Sequence, residues 1–192
     1  MNATITSTAH YVPEKVLTNS DLEKLVDTSD EWIKSRVGIN QRHVVSDGEA
    51  SSDMSTKVAH SLLEKRGISA ANIDVIIIGT VTPDHPTPST AAIVQNNINA
   101  ENAWAFDLSA ACSGFLYALE TGAKFIESGQ YKTIMVIGVD TMTSILDFED
   151  RETCIIFGDG AGGVILEASK SNTGILGSVL KTDGSGAESL NV

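Results

Sequence analysis

Continuous apolar runs along the chain predict buried strands. Residues 74–82, DVIIIGTVT, are almost entirely apolar and rich in β-branched side chains, a pattern typical of a strand buried on both faces. AWAFDLS (103–109) predicts a second strand, and KTIMVIGVDT (132–141) predicts another buried one. These segments are the candidate strands of a sheet.

Between these runs the apolar residues recur at helical spacing. From Ser52 to Arg66 they fall on one face, and Gly67 follows as a helix stop. Residues 112–129 predict a second amphipathic helix. Because strands alternate with helices, the sequence predicts an α/β fold with right-handed crossovers, in which a mostly parallel sheet carries helices on its faces.

The first 40 residues predict one strand and two short helices. Residues 3–13 alternate weakly, as in a strand, and Ser20 is the expected N-cap of the first helix. A capping-box pattern joins Thr28 to Glu31 at the start of the second helix, and Gly38 is its expected stop.

Proline and polar residues mark the remaining loops. Residues 83–90 hold three of the four prolines, and Thr87 and Pro88 are the expected N-cap and first residue of the helix that follows. Near the end of the chain, residues 154–169 and 174–184 predict two strands. The segment GSGAESLNV (184–192) has the composition of a loop.

Length and charge narrow the class of protein. The 192 residues suffice for roughly one domain, and 42% of them are hydrophobic. The net charge of −12 would repel a polyanion, so nucleic acid is not an expected partner. The sequence shows no signal peptide and no apolar run near the roughly 20 residues of a membrane helix, and we expect a cytoplasmic location.

The two cysteines, Cys112 and Cys154, differ in context. Cys112 follows a strand and begins a helix, whose free N–H groups and dipole stabilise a thiolate. Its small neighbours would let a substrate carbonyl approach and leave N–H groups free for an oxyanion. Cys154 lies in an apolar run and is expected in the core. The cysteines lack the spacing of a disulfide framework or a zinc site, and no metal is expected.

The glycine-rich segment FGDGAGG (157–163) invites comparison with phosphate-binding loops. It lacks the Lys-Ser/Thr of a P-loop, and a strand-like segment follows it instead of a helix. We interpret its glycines as sites where backbones approach closely near the active site.

Three segments carry a resemblance to a known family. DLSAACSGFLYAL (107–119) resembles the nucleophile segment of the thiolase-fold condensing enzymes. DTSDEWIKSRVGINQRH (27–43) is similar to the N-terminal signature of β-ketoacyl-acyl-carrier-protein synthase III, and IIFGDGAGGVIL (155–166) to that family's glycine-rich strand. The resemblance implies one half of a duplicated, thiolase-like, five-stranded mixed sheet with helices on its faces. Residues 1–170 would form the N-terminal half, and 171–192 would start the connection to a C-terminal half.

The resemblance also implies an activity and a set of substrate contacts. An acyl-CoA, usually acetyl-CoA, would acylate Cys112, and malonyl-acyl carrier protein would then condense with the acyl group to start fatty-acid synthesis. Coenzyme A is a substrate in this scheme, and no cofactor is implied. The positions expected to contact coenzyme A are Thr28, Trp32, Arg36 and Arg151.

The catalytic unit of the family, Cys-His-Asn, is incomplete in this sequence. None of the four histidines lies in the family's His-Gln-Ala-Asn setting. We therefore expect a second polypeptide that carries the C-terminal half, and the family implies a homodimer of the complete unit. The alternatives are a thiolase-fold acyltransferase with a different acceptor, and a non-catalytic acyl-binding fragment.

Thr87 is a second departure from the family pattern. Well-studied members carry a bulky aromatic residue there, which reaches across the dimer and closes the end of the acyl channel. Because threonine is smaller, the sequence predicts tolerance of primers longer or bulkier than acetyl.

Overall fold

One five-stranded mixed sheet forms the centre of the protein, whose computed structural model describes residues 2–169 and 173–189. The strands are β1 (Asn2–Tyr11), β2 (Lys15–Thr18), β3 (Gln41–Val44), β4 (Val75–Gly79), β5 (Trp104–Leu108), β6 (Thr133–Thr141) and β7 (Asp159–Ser169). The α-helices are α1 (Asn19–Leu22), α2 (Asp30–Val37), α3 (Ser51–Arg66), α4 (Thr90–Asn97) and α5 (Gly114–Glu127). The large sheet has the order β1-β7-β6-β4-β5.

The directions of the strands divide this sheet into two parts. β4 pairs in parallel with both β5 and β6, as the strand–helix alternation predicts. β7 pairs antiparallel with both β6 and β1. The prediction of a mostly parallel sheet was therefore wrong, whereas the five-stranded mixed sheet implied by the family resemblance is confirmed.

Side chains of the central strand β4 alternate between two apolar cores. Ile76 and Ile78 lie in the core that contains Val58 of α3, and Val75 and Ile77 lie in the opposite core with residues of α5. Because both faces of β4 are covered, all five of its residues are buried. The apolar run in the sequence is therefore continuous because β4 lies in the middle layer, between helices on both faces of the sheet.

The two long helices confirm the helical pattern with one change at a boundary. α3 ends at Gly67, whose φ of 70° lies in the left-handed region that favours glycine. α5 was predicted from residue 112 but begins at Gly114. The residues before it, Ala111–Ser113, form a separate 3-10 turn that holds Cys112.

A small antiparallel sheet of two strands, β2 and β3, was not predicted from the sequence. It lies beside a third apolar cluster of Leu22, Ile33, Cys154 and Ile155. Cys154 is fully buried in this cluster, which confirms the expectation of a core cysteine.

Two predicted N-caps in the first half of the chain were each wrong by one or two residues. Thr18 caps α1 in place of Ser20, with a reciprocal capping box to the third residue of the helix. Ser29 caps α2 in place of Thr28, and its Oγ accepts a hydrogen bond of 3.1 Å from the N–H of Trp32.

The helix after the proline loop begins later than predicted. Ser89, not Thr87, is the N-cap of α4, and its Oγ accepts from the N–H of Ala92. The Asp107 carboxylate, at the end of β5, accepts from the N–H groups of Thr90 and Ala91 at 2.8 Å each. Burial raises the pKa of this carboxyl, although both of these hydrogen bonds oppose the shift. A partner 17 residues away thus fixes the start of α4.

The two strands predicted near the end of the chain need correction. The first begins at Asp159, because the residues before it, 151–156, form turns. The described residues 173–183 contain no strand. Residues 184–189 of the predicted final loop form a 3-10 helix, and 190–192 lie outside the described residues, as does the predicted domain boundary at 170–171.

Candidate active site

Cys112 lines a large cavity in the described part of the chain. The cavity measures about 1090 Å³, and the exposed thiol of Cys112 is among its lining groups. Most of the lining is apolar and includes Phe115, Met142, Ile145 and Phe157. The position follows from the fold, because the carboxyl ends of the parallel strands β4, β5 and β6 meet at this edge of the sheet.

Glycines allow the first turn of α5 to approach the sheet. A Cβ atom built on Gly79, the last residue of β4, would lie 2.8 Å from the carbonyl carbon of Gly114 and 3.0 Å from the nitrogen of Phe115. Because both neighbours are backbone atoms, only glycine fits at position 79 without a shift of the helix. This close approach holds the turn with Cys112 against the end of β4.

The backbone beside Cys112 adopts an uncommon conformation. Ala111 has a φ of 45°, in the left-handed region that is unfavourable for a residue with a Cβ atom by about 1–2 kcal/mol. In the same turn, Ser113 N–H donates to Ala110 O and Gly114 N–H donates to Ala111 O. This tight turn directs Cys112 towards the cavity at the start of a helix, where backbone N–H groups collect.

Asp140, which sequence analysis did not single out, shapes another wall of the cavity. Its Oδ1 accepts hydrogen bonds from Thr80 Oγ1 at 3.0 Å, the Val81 N–H at 2.8 Å and Thr82 Oγ1 at 2.9 Å. The carboxylate thereby fixes the segment that follows β4. A signal was present in the sequence, since Asp140 is a charged residue near the end of an otherwise apolar strand.

The glycine-rich segment contributes a strand to the cavity wall. Asp159 is 5% exposed, and its carboxylate accepts from the N–H of Val45 at 2.8 Å and the N–H of Thr143 at 2.9 Å. Gly160 and Gly162 follow in β7 and line the cavity. The segment therefore has neither the helix nor the open N–H groups of a phosphate loop.

A second cluster joins three of the predicted coenzyme A contacts. The indole of Trp32 is half-buried, with Arg151 Cζ 5.1 Å and Arg36 Cζ 5.9 Å from its ring centroid. Arg151 also donates a hydrogen bond of 3.0 Å to the carbonyl of Asp27. Both guanidinium groups lie within the usual range of a cation–π contact.

Thr28, the fourth predicted contact, precedes the helix that carries Trp32. Its hydroxyl is enclosed and has no hydrogen-bond partner within the described residues. A buried hydroxyl without a partner is unfavourable, and a ligand that reached it would remove this cost.

Comparison with known proteins shows which family the chain resembles. The profile of 3-oxoacyl-[acyl-carrier-protein] synthase III matches residues 106–184. A β-ketoacyl-[acyl-carrier-protein] synthase III from Chlorobaculum tepidum is 60% identical over 186 residues, which are 96% of this chain and 56% of the relative. Over nearly its whole length the chain is similar to part of a β-ketoacyl-[acyl-carrier-protein] synthase III. The chain spans little more than half the length of the relatives that it matches.

Solved structures of synthase III proteins have the same fold. The protein from Aquifex aeolicus superimposes with a TM-score of 0.86 at 46% identity, over 88% of this chain and 55% of that one. The protein from Thermus thermophilus gives a TM-score of 0.91 at 39% identity, over 96% and 57%. The thiolase-like fold expected from the sequence is thus confirmed.

Other candidate residues lie away from the cavity that Cys112 lines. Thr87 is exposed and is not among the lining residues. The same holds for His10, His60 and His85, which are exposed, and for His43, whose Nδ1 lies 2.6 Å from the carbonyl of Pro13. Within the described residues, no helix is long and apolar enough to span a membrane.

Proposed function

We propose that the chain forms the nucleophile-bearing part of an acyltransferase that starts fatty-acid synthesis. An acyl-CoA would acylate Cys112, and the acyl group would then condense with malonyl-acyl carrier protein. The observation that carries the proposal is the placement of Cys112, exposed at the start of a helix and on the edge of a large apolar cavity.

In the first step the Cys112 thiolate attacks the carbonyl carbon of the acyl-CoA. A carbon–sulfur bond forms to Cys112, the bond to coenzyme A breaks, and coenzyme A leaves as a thiolate that takes up a proton. The apolar cavity beside Cys112 would hold the acyl chain, and backbone N–H groups in the first turn of α5 would stabilise the oxyanion.

In the second step malonyl-acyl carrier protein loses carbon dioxide. The resulting carbanion forms a carbon–carbon bond with the acyl carbonyl, and the bond to Cys112 breaks to restore the thiolate. Among the described residues, no histidine lines the cavity. We therefore propose that the groups that promote decarboxylation come from protein outside these 192 residues.

Exposed apolar side chains support a covering partner for this side of the molecule. Leu116, on α5 directly after the nucleophile turn, is 54% exposed, and Leu176 and Val179 are 78% and 85% exposed. Large side chains left in water cost free energy that a second lobe would recover. A homodimer of the complete unit remains a prediction.

The Trp32 cluster is the proposed site for the nucleotide of coenzyme A. The adenine would stack between the indole of Trp32 and the guanidinium of Arg151, and the Thr28 hydroxyl would form a hydrogen bond to it. Arg36 would contact a phosphate, because a planar guanidinium suits phosphate oxygens. The proximity of Trp32, Arg36 and Arg151 supports this assignment.

The product of the full-length protein tests the proposed function. After incubation with acetyl-CoA and malonyl-acyl carrier protein, mass spectrometry of the carrier protein is expected to show a β-ketobutyryl group. A product that forms only with malonyl-CoA would favour a different acceptor. An acylated protein that never condenses with either acceptor would favour the non-catalytic alternative.

Thr87 gives a prediction about the acyl donor. We propose that its small side chain leaves the end of a neighbouring subunit's acyl channel open, which fits its exposure and its position outside the chain's own cavity. Thr87→Phe is then expected to lower acylation by octanoyl-CoA by about tenfold, because a ring in the channel displaces the chain. Acylation by acetyl-CoA should change less than twofold, and equal losses with both donors would contradict the assignment.

A further inference from the structure

Arg42 is a buried arginine that the proposed chemistry does not use. It is 3% exposed, and burial lowers the pKa of its guanidinium. Nε donates to the carbonyl of Ile155 at 3.0 Å, Nη2 donates to the same carbonyl, and Nη1 donates to Asn19 Oδ1. Its hydrogen bonds go to neutral oxygens, in an environment where a buried charge is unfavourable. A role in positioning other parts of the structure would explain why a charged group is buried here despite the unfavourable free energy of its burial.

Nη1 of Arg42 is connected through Asn19 to α2, the helix that carries Trp32. Asn19 is 1% exposed, and its Nδ2 donates to Asp30 Oδ1 and to the carbonyl of Ile39, at 2.8 Å each. Asp30 is the first residue of α2, two positions before Trp32. Arg42 therefore fixes, through Asn19, both the start of α2 and the segment that follows it.

Nε and Nη2 of Arg42 are hydrogen-bonded to the turn that carries Arg151. Ile155, whose carbonyl accepts both hydrogen bonds, lies four residues after Arg151 in a compact turn. Within this turn, the Cys154 N–H donates to Asp150 O at 3.0 Å. Ile155 is also buried in the apolar cluster with Leu22. A movement of this carbonyl would therefore carry the whole turn with it.

The gap between the two sides of the cluster must widen to admit a base. Arg151 Cζ lies 5.1 Å from the Trp32 centroid. A planar ring needs about 3.5–4 Å to each neighbour, or roughly 7 Å in all. If the turn stays in place, only the flexible side chain of Arg151 has to move by about 2 Å. If the turn is loose, binding must also order its backbone, which costs affinity.

We propose that Arg42 is a positioning residue that fixes the spacing between α2 and the Arg151 turn, and thereby sets the affinity for the nucleotide of the acyl donor. The inference rests on the proposed function, because it takes the Trp32 cluster as the nucleotide site. It assigns no contact between Arg42 and the substrate. Its effect should therefore depend on whether the donor has a nucleotide.

The test compares two acyl donors in the full-length protein, acetyl-CoA and S-acetylpantetheine, which lacks the nucleotide. Arg42→Lys keeps a positive charge but cannot reach Asn19 and Ile155 at once. We expect the KM for acetyl-CoA to rise about tenfold, as for the loss of one hydrogen bond to a charged group. The kcat should change less than twofold, and acylation by S-acetylpantetheine should be unchanged.

Controls separate positioning from a general loss of structure. Arg66→Lys alters an exposed arginine that is paired with Glu167 of β7 and is not part of the Trp32 cluster, and it should leave both donors unaffected. If Arg42→Lys does not fold, as judged by circular dichroism, Asn19→Ala takes its place. This variant removes only the hydrogen bonds that connect Arg42 to α2 through Asn19, and the same changes in KM and kcat are expected for the two donors.

Two results would overturn the inference: equal losses with both donors, or no loss with acetyl-CoA. If the wild-type protein accepts S-acetylpantetheine as well as acetyl-CoA, the Trp32 cluster does not contribute to donor binding and the inference about Arg42 fails. The proposal that Cys112 is the nucleophile would still stand. Failure of both donors to acylate the wild-type protein would instead refute the proposed function, and both proposals would fall.

Discussion

Replacing Cys112 with alanine is expected to lower acyl transfer from acetyl-CoA by roughly 10⁴- to 10⁶-fold, the range seen when an enzyme loses its nucleophile. The cavity beside Cys112 and the turn around it would remain, because the side chain is exposed and packs little. Binding of the donor should therefore persist while transfer stops. The measurement is the rate of coenzyme A release from acetyl-CoA in the presence of malonyl-acyl carrier protein.

Cys154→Ala is the matched control for that substitution. Cys154 is fully buried beside Ile33, and burial raises the pKa of its thiol, so it has neither access nor thiolate character. We expect wild-type transfer at a temperature where the variant is folded, with a loss of stability of about 1–2 kcal/mol from the small cavity. Retained transfer in Cys112→Ala, or lost transfer in a folded Cys154→Ala, would contradict the assignment.

Gly79→Ala is expected to disturb the site without changing Cys112 itself. The new methyl group would lie 2.8 Å from the carbonyl carbon of Gly114, so the first turn of α5 must move away from β4. We expect a loss of stability of about 1–3 kcal/mol, as for an overpacked core. Acylation of Cys112 should fall by about 10²-fold, because small displacements of a reacting group are costly.

Gly177→Ala controls for the change from glycine to alanine itself. Gly177 is exposed, and no atom lies within 4 Å of a Cβ built on it. The stability and the acylation rate of the Gly177→Ala variant should match those of the wild-type protein. If Gly79→Ala acylates at the wild-type rate, the close approach of α5 to β4 does not position the nucleophile.

The sequence predicted the elements whose pattern is local. The runs that form β4 and β6 were recognised because these strands are buried and almost continuously apolar. α3 was recognised because its apolar residues recur at helical spacing and a glycine ends it. Cys112 could be proposed as the nucleophile because its type, its small neighbours and its place between strand and helix can all be read from a few residues.

What was missed depends on partners distant in sequence. Asp107 fixes the start of α4, so Thr87 could not be excluded as the N-cap from its neighbours alone. Residues 154–158 have the composition of a strand, but Arg42 binds the carbonyl of Ile155 in a turn. Asp140 acts through three groups of another loop. In each case a tertiary hydrogen bond decided between local alternatives of similar propensity.

The most direct measurement is the site of acylation in the wild-type protein. After incubation with acetyl-CoA and rapid quenching, intact mass spectrometry followed by peptide mapping locates the acetyl group. We predict one acetyl group per chain, on the peptide that contains Cys112, and none on the peptide that contains Cys154. An acetyl group found elsewhere, with Cys112 unmodified, would contradict the account.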